Sequence, residues 1–497
     1  MRKLVPSLFL FAALSSPAWA GADVGGYFRV MTRPDLVGGD GKLGYWNLYG
    51  RLLNEGPYGA VELKLDVLER QPTSRELWTD LHVKVEGGSI AGADAGNGGL
   101  GNLRLSQVYV QAGNLAINGV TWRMGTLESN FGDLGLYDMR LAQVLTDTVG
   151  VSARYEGGVV DALIGVGDAG YTLRPDRYNS IVSPGGTLRV RAGGHVELGA
   201  GAQAYLEPEV VGNRNAPYTT PGLSYDDYVR RDFVADYAEE NPGESTVVPR
   251  PGPTSASSYK GVFYLGFGSL GPLTWNNLFG SYTVRHPDSY VTESYNGVDY
   301  DLYVAGLTDE RTVLLLGDEL QLRLVPERLD LVVGALYGLH RDADNNIAPS
   351  DDDRRYWSAV ARAQVYLSPV VHLLGEGSYA EERSHNGKQW RNHYDSLFAN
   401  SQDPDDPLAL QFGDADVRTT IQGKGGLVLN PLGPGIYTRP SLRILYGIQW
   451  SSQNNAFGNS YVESLDQYNY LYPAEVSADE VERHVHQLVA LEAEVWF

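Results

Sequence analysis

Cysteine is absent from the 497-residue chain, which excludes disulfide scaffolds, thiolate metal sites and cysteine nucleophiles. Methionine is scarce, with 4 residues. Basic residues are few: 39 Lys and Arg stand against 61 Asp and Glu, for a formal net charge of −22. Phosphate-rich partners need clustered Lys and Arg, so the balance argues against a nucleic-acid or anionic-lipid surface binder. Past the N-terminus no run approaches the ~20 apolar residues a spanning helix needs. No HExxH pair occurs among the 9 histidines, and neither a metal nor a cofactor is expected.

What is present points elsewhere. Arg2 and Lys3 precede a short apolar stretch from Leu4 to Leu14, and Ala18-Trp19-Ala20 supplies a small-residue cleavage site. Residues 1–20 therefore read as a Sec signal peptide, and 21–497 as one exported domain. Glycine (59) and tyrosine (32) are abundant. Apolar and polar side chains alternate throughout. In 77–85, Leu77, Thr79, Leu81, Val83 and Val85 share one face, while Trp78, Asp80, His82 and Lys84 share the other. In 439–450, Leu442, Ile444, Tyr446, Ile448 and Trp450 oppose Arg439, Ser441, Arg443 and Gln449. A period of two is the strand period.

Eighteen such segments follow one another, near 24–31, 51–69, 76–87, 103–113, 118–126, 147–156, 159–167, 187–193, 195–206, 259–268, 273–284, 313–325, 328–341, 354–367, 370–383, 417–429, 438–452 and 485–497. In 103–113 the parity breaks around Arg104 and Ser106, which a β-bulge would reconcile. Short turn-like links alternate with long polar loops such as 207–258, 285–312, 342–353, 384–416 and 453–484. This is the pattern of an all-β transmembrane barrel with short periplasmic turns and long extracellular loops. A terminal Phe497 suits a bacterial outer-membrane barrel. Parity places Glu62, Lys64, Asp66, Arg154, Arg189, Arg191, Glu319, Arg323, Arg362, Gln364, Glu376, Arg418 and Arg443 inside. A charge facing lipid costs ~2–4 kcal/mol, so a wet lumen is expected around them. The loop at 127–146 is more apolar than the others, as a constriction loop packed on the barrel wall would be.

Several short runs resemble the maltoporin-type carbohydrate porins. They are Gly26-Tyr27-Phe28-Arg29; Arg51 with Asn54-Glu55 and Glu62-Leu63-Lys64-Leu65; Gln111 with Asn114-Leu115, Thr121-Trp122 and Gly125; Thr438 to Arg443 through Trp450; and Glu494-Val495-Trp496-Phe497. The resemblance implies an eighteen-stranded homotrimer in outer-membrane lipid and lipopolysaccharide that passes a carbohydrate substrate. It further implies an aromatic path and a flanking polar track. Tyr27 and Trp496 match path positions. Arg29, Arg51 and Glu62 match track positions, and Asp133 and Asp138 keep the spacing of two constriction-loop aspartates. Departures occur as well. A path aromatic falls on Ala60, with Tyr58 close by. A loop arginine falls on Phe131, and a loop tyrosine falls on Arg140, with Tyr137 nearby. A track arginine falls on Ser106, with Arg104 two residues away. Trp78 also points inward, beside a periplasmic turn.

Other signals have simpler readings. The G-x-G-x-x-G run at 165–170 lacks the helix a dinucleotide site requires. Acidic clusters such as 351–353 and 403–406 match no calcium loop and read as solvated loop tips. No G-x-S-x-G elbow is present. The expectation is a non-enzymatic porin for sugars, localised to the outer membrane. The alternatives are a general or cation-preferring porin, favoured by the acidic excess, and a non-conducting receptor or structural barrel.

Overall fold

The computed structural model describes residues 21–34, 36, 47–69, 76–88, 104–173, 180–207, 256–285, 291–295, 298–302, 311–342, 354–384, 417–452 and 485–497. Eighteen strands form one sheet: β1 Gly21–Thr32, β2 Tyr58–Leu68, β3 Trp78–Gly88, β4 Arg104–Gly113, β5 Val120–Thr126, β6 Val149–Glu156, β7 Val160–Asp168, β8 Val182–Ala192, β9 Val196–Glu207, β10 Ala256–Leu270, β11 Leu273–Arg285, β12 Arg311–Val325, β13 Leu329–Asp342, β14 Arg354–Tyr366, β15 Val371–Ser384, β16 Val417–Leu429, β17 Ser441–Ser451 and β18 Val485–Trp496. Each pairs antiparallel with its neighbours in the chain. β1 also pairs with β18, from Tyr27↔Trp496 to Thr32↔Leu491, so the sheet closes into a barrel. A separate hairpin, Val291–Tyr295 with Val298–Leu302, lies between β11 and β12. Among the described residues no helix is long and apolar enough to cross a membrane, which says nothing of strands.

Side-chain alternation explains why these residues form these strands. In β17 burial alternates at every position: Leu442, Ile444, Tyr446, Ile448 and Trp450 are exposed on the outer wall, and their neighbours are buried inside. The outer wall is rich in exposed Val, Leu, Ile and aromatic side chains. The break of parity near Ser106 is a bulge, because β3 pairs Lys84 with Gln107 but Val85 with Leu105.

Three predicted boundaries differ. The span 51–69 is not one long strand. Residues 47–57 form a short 3-10 helix, Asn47–Tyr49, and turns, and β2 begins only at Tyr58. β8 begins at Val182 rather than near 187. β17 begins at Ser441, because 438–440 belongs to an inward-folded connection. The signal peptide, the Arg418 side chain and most of the long loops lie outside the described residues.

Three connections fold into the lumen. The first is 47–57, between β1 and β2, and the second is 127–148, between β5 and β6. The third, 430–440, joins β16 to β17 and therefore enters from the opposite rim. The second contains the expected constriction loop. Inward glycines make its seat on the wall. A Cβ at Gly165 or Gly185 would meet Leu145, one at Gly199 would meet Phe131, one at Gly317 would meet Leu134 and Leu141, and one at Gly334 would meet Tyr137 and Leu136. A single apolar cluster runs from Leu127 through Phe131, Leu136 and Tyr137 to Leu48, Tyr49 and Ile436, joining all three segments to the wall. A second holds Leu52 and Leu53 against Leu374, Val428, Leu445 and Leu488. Each fully buried Leu or Phe in these clusters contributes about 1.5–3 kcal/mol.

Candidate channel site

The three segments divide the lumen into unlike halves. Along β12–β18 most inward charges are buried, the exception being Arg323, which is 56 % exposed near the end of β12. Lys424 and Arg362 both bind Glu376, at 2.8 and 2.6 Å, and Lys424 also donates to the Tyr49 carbonyl at 3.0 Å. Tyr49 donates its hydroxyl to Glu382 at 2.5 Å. Glu319, Arg362, Gln364, Glu376 and Arg443 thus point inward as expected, but they line a filled half rather than a wet one. The reason is that inward segments lie over them. Charges buried in this way persist only because they are paired. Along β2–β6 and the facing edge of 127–148, side chains remain exposed: 77 % for Arg104, 48 % for Glu62, 44 % for Arg140 and 43 % for Asp133.

At the junction of the two halves sits Glu494. Its carboxylate accepts from Tyr27 Oη at 2.6 Å and Arg51 Nη2 at 2.6 Å, and it also binds Arg439 and Arg443. One buried group thereby ties together β1, the first inward segment, the third inward segment and β17. Beside it, Arg29 binds Glu55 and donates to the Gly56 carbonyl at 2.9 Å. Arg51 lies 3.7 Å from Glu55 and 3.9 Å from Asp138. The Arg51 amide donates to the Leu136 carbonyl at 2.7 Å, so the first and second segments also meet through backbone.

The aromatic residues divide. Tyr58, Tyr27 and Trp496 occupy inward positions on the adjacent strands β2, β1 and β18. Ring centroids are 5.7 Å apart for Tyr58–Tyr27 and 6.1 Å for Tyr27–Trp496. Tyr58 is buried and donates to Glu86 at 2.7 Å, Tyr27 is half-buried, and Trp496 is exposed. Two expected members stand apart from this row. The Trp78 ring packs against Gly113 and is buried there. Tyr137 is fully buried, with its ring on Gly334 and its hydroxyl accepting from Ser358 Oγ at 3.1 Å, so neither ring face is open to a solute.

The expected polar residues form two groups. Arg29, Arg51 and Asp138 gather at the junction. Asp133 and Arg140 line the exposed edge of the second segment, joined there by Glu128, which the sequence reading does not single out; Arg140 lies 3.1 Å from Asp133 and 3.3 Å from Glu128. Glu62 faces His82 at 3.4 Å, and Arg104 faces Glu86 at 3.6 Å. The sequence reading missed the roles of Glu494, Glu55, Arg439 and Tyr437. Inward parity in β18 already gave the direction of Glu494. Among the described residues no cluster of three metal-ligating side chains occurs.

Glu55 and Asp138 hydrogen-bond to each other between the first and second segments. Burial pushes the Glu55 carboxyl up to about 7, against the opposing pull of Arg29 and Arg51. Burial also works to raise Asp138, but Arg51 and the Glu55 hydrogen bond hold it below the usual carboxylate range. A raised acid favours folding while protonated. Its contribution is therefore complete below the ordinary value of 4.5 and is lost as pH rises through about 7. Over that window we expect wild-type stability to fall relative to Glu55→Gln. Parallel pH profiles of the two thermal midpoints would disprove this.

No protein-family model matches the chain, and no curated protein matches it. Solved structures with similar barrels include OccAB1 of Acinetobacter baumannii, at 10 % identity, covering 97 % of each chain with a TM-score of 0.44. The outer membrane channel DcaP of Acinetobacter baumannii matches at 11 % identity over 74 % of this chain and 93 % of its own, with a TM-score of 0.41. A BenF-like porin from Pseudomonas fluorescens Pf-5 matches at 7 % identity over 97 % of this chain and 100 % of its own, also with a TM-score of 0.41. Superposition this loose carries no argument about function. The maltoporin-type likeness rests on the short sequence runs alone.

Proposed function

We propose that the chain is an outer-membrane porin that passes sugars by passive, saturable diffusion along the exposed half of its lumen. The observation that carries this reading is the row Tyr58–Tyr27–Trp496, with rings about 6 Å apart, in which Tyr27 and Trp496 present open ring surface and the buried Tyr58 backs them. The apolar face of a pyranose stacks on an aromatic ring, and its edge hydroxyls need donors and acceptors. The partly exposed Asp138 and the exposed Asp133, Arg140 and Glu62 supply such groups on the same open side of the lumen, while the buried Glu494 and Glu86 hold the Tyr27 and Tyr58 hydroxyls in place. Exposed charges of both signs, such as Glu62 with Lys64 and Asp133 with Arg140, suit a neutral polar solute better than an anion. The apolar outer wall suits a bilayer, where a closed barrel leaves no unpaired strand edge. A homotrimer in lipid and lipopolysaccharide belongs to the same reading, through the family resemblance.

The test is single-channel conductance in a planar bilayer, titrated with maltooligosaccharides, sucrose and glucose. Saturable block by one sugar series is the expected result. Steady current without block would favour a general or cation-preferring pore, to which the net charge of −22 lends support. No current would favour a receptor or structural barrel. Trp496→Ala should weaken sugar block about tenfold, the loss of roughly one stacking contact. Unchanged affinity in the folded variant would remove Trp496 from the path.

A further inference from the structure

The geometry points to a second determinant of the opening: the connection 430–440 is a strut that, from the rim opposite the constriction loop, fixes the tip of that loop and so sets the bore. Other even-to-odd connections, such as β6–β7, β8–β9 and β12–β13, are turns of a few residues. The connection 430–440 is longer and folds back into the lumen, where Ile436 joins the main apolar cluster. Tyr437 then reaches the middle of β12. Its hydroxyl donates to Glu319 Oε1 at 2.7 Å. The other oxygen of the same carboxylate, Oε2, accepts from the Leu136 amide at 2.7 Å. Glu319 is 1 % exposed. One buried carboxylate is thus shared by the tip of the second inward segment and the end of the third.

The contact is also steric. A Cβ at Gly135 would lie 2.9 Å from the Tyr437 hydroxyl, so the tyrosine passes directly beneath the tip. Trp275 of β11 backs the Tyr437 ring, with centroids 6.4 Å apart. From the other side, the Leu136 carbonyl accepts from the Arg51 amide. Leu136 is therefore gripped at both backbone groups: by Glu319 with Tyr437, and by the first segment. Arg439 anchors the far end of the strut on Glu494. Packing on the glycine seat would hold the tip against the wall. The strut adds a stop from below, and it is made by a part of the chain about 300 residues away in sequence.

Tyr437 is accordingly a positioning residue, and a structural role alone would not predict a change in bore. The experiment compares wild type with Tyr437→Ala and with the milder Tyr437→Phe, which keeps the ring and loses only the bond to Glu319. Two quantities are read: hydrogen exchange over residues 134–139, and conductance with the polymer size cutoff for neutral polyethylene glycols. Tyr437→Ala should exchange about tenfold faster over 134–139, since a tip that loses its backing opens locally. Its conductance should rise about twofold, with the cutoff moving to larger polymers. Tyr437→Phe should shift both in the same direction by less. Unchanged exchange, or faster exchange with an unchanged cutoff, would overturn the strut. The conductance arm rests on the channel reading and the exchange arm does not. A wild-type barrel that carries no current would therefore sink the channel reading alone and leave exchange to decide whether the tip is held.

Discussion

Glu494→Ala should cost about 3–5 kcal/mol of stability, because it strands charges that are buried and already paired. Arg51, Arg439 and Arg443 all converge on this carboxylate, and the Arg439 and Arg443 side chains are almost wholly buried. Arg443 keeps Glu492 at 3.4 Å, and Arg51 keeps Glu55 and Asp138. Arg439 pairs with no second carboxylate among the described residues and would suffer most. Tyr27 would lose its hydroxyl partner, and with it the restraint on the middle ring of the aromatic row. Glu494→Gln keeps the size and two acceptor lone pairs but drops the charge, so it should fall between alanine and wild type. Heat-induced unfolding in detergent would measure both. A midpoint for Glu494→Ala within a degree or two of wild type would mean that the surrounding acids suffice and that the hub is dispensable.

Gly317→Val should displace the constriction loop. The added Cβ would contact Leu134 and come within 2.7 Å of Leu141, in a cluster with no room to spare. Overpacking of this kind costs typically about 1–3 kcal/mol, and the cheapest relief is for the loop to lift off the wall. The bore should then change while the barrel still forms. Gly375→Val is the matched control. Gly375 faces outward and has nothing within 4 Å of its Cβ position. Valine there should leave conductance and thermal midpoint near wild type. Equal behaviour of the two variants would show that the glycine seat does not position the loop.

The barrel was legible because alternation with period two is a local signal, repeated eighteen times. Parity correctly turned Glu62, Arg362, Glu376 and Arg443 inward, and even the bulge near Ser106 showed as a break in it. What alternation could not show was the filling of the lumen. Whether Glu376 meets water or Lys424 depends on where residues 47–57 come to rest, and that is set by contacts more than 300 residues apart in sequence. The span 51–69 misled for a related reason. Leu52 and Leu53 read as strand residues because they are apolar, yet their partners are Leu374, Val428 and Leu488 across the lumen. Tyr137 shows the same limit, since nearness in sequence to Arg140, where the family's loop tyrosine falls, did not give its ring a free face. One signal was available and went unread. Gly165, Gly185, Gly199, Gly317 and Gly334 share inward parity, and so many missing side chains on one face mark where another part of the chain must lie close.

The aromatic row spans the join between the two ends of the sheet. Tyr58 and Tyr27 belong to the first two strands and Trp496 to the last, and the Gly26 amide donates to the Phe497 carbonyl at 2.9 Å while the Phe497 ring stacks on Phe28. A sheet with all its other pairings made but with β18 undocked has two rings of the row and lacks the third. The ladder bonds that seal the cylinder and the assembly of the stacking surface are thus one event. If the channel binds sugars as proposed, the number of binding sites per chain would then report the fraction of cylinders sealed. A preparation of unsealed sheets could match the native strand content by circular dichroism and still bind nothing.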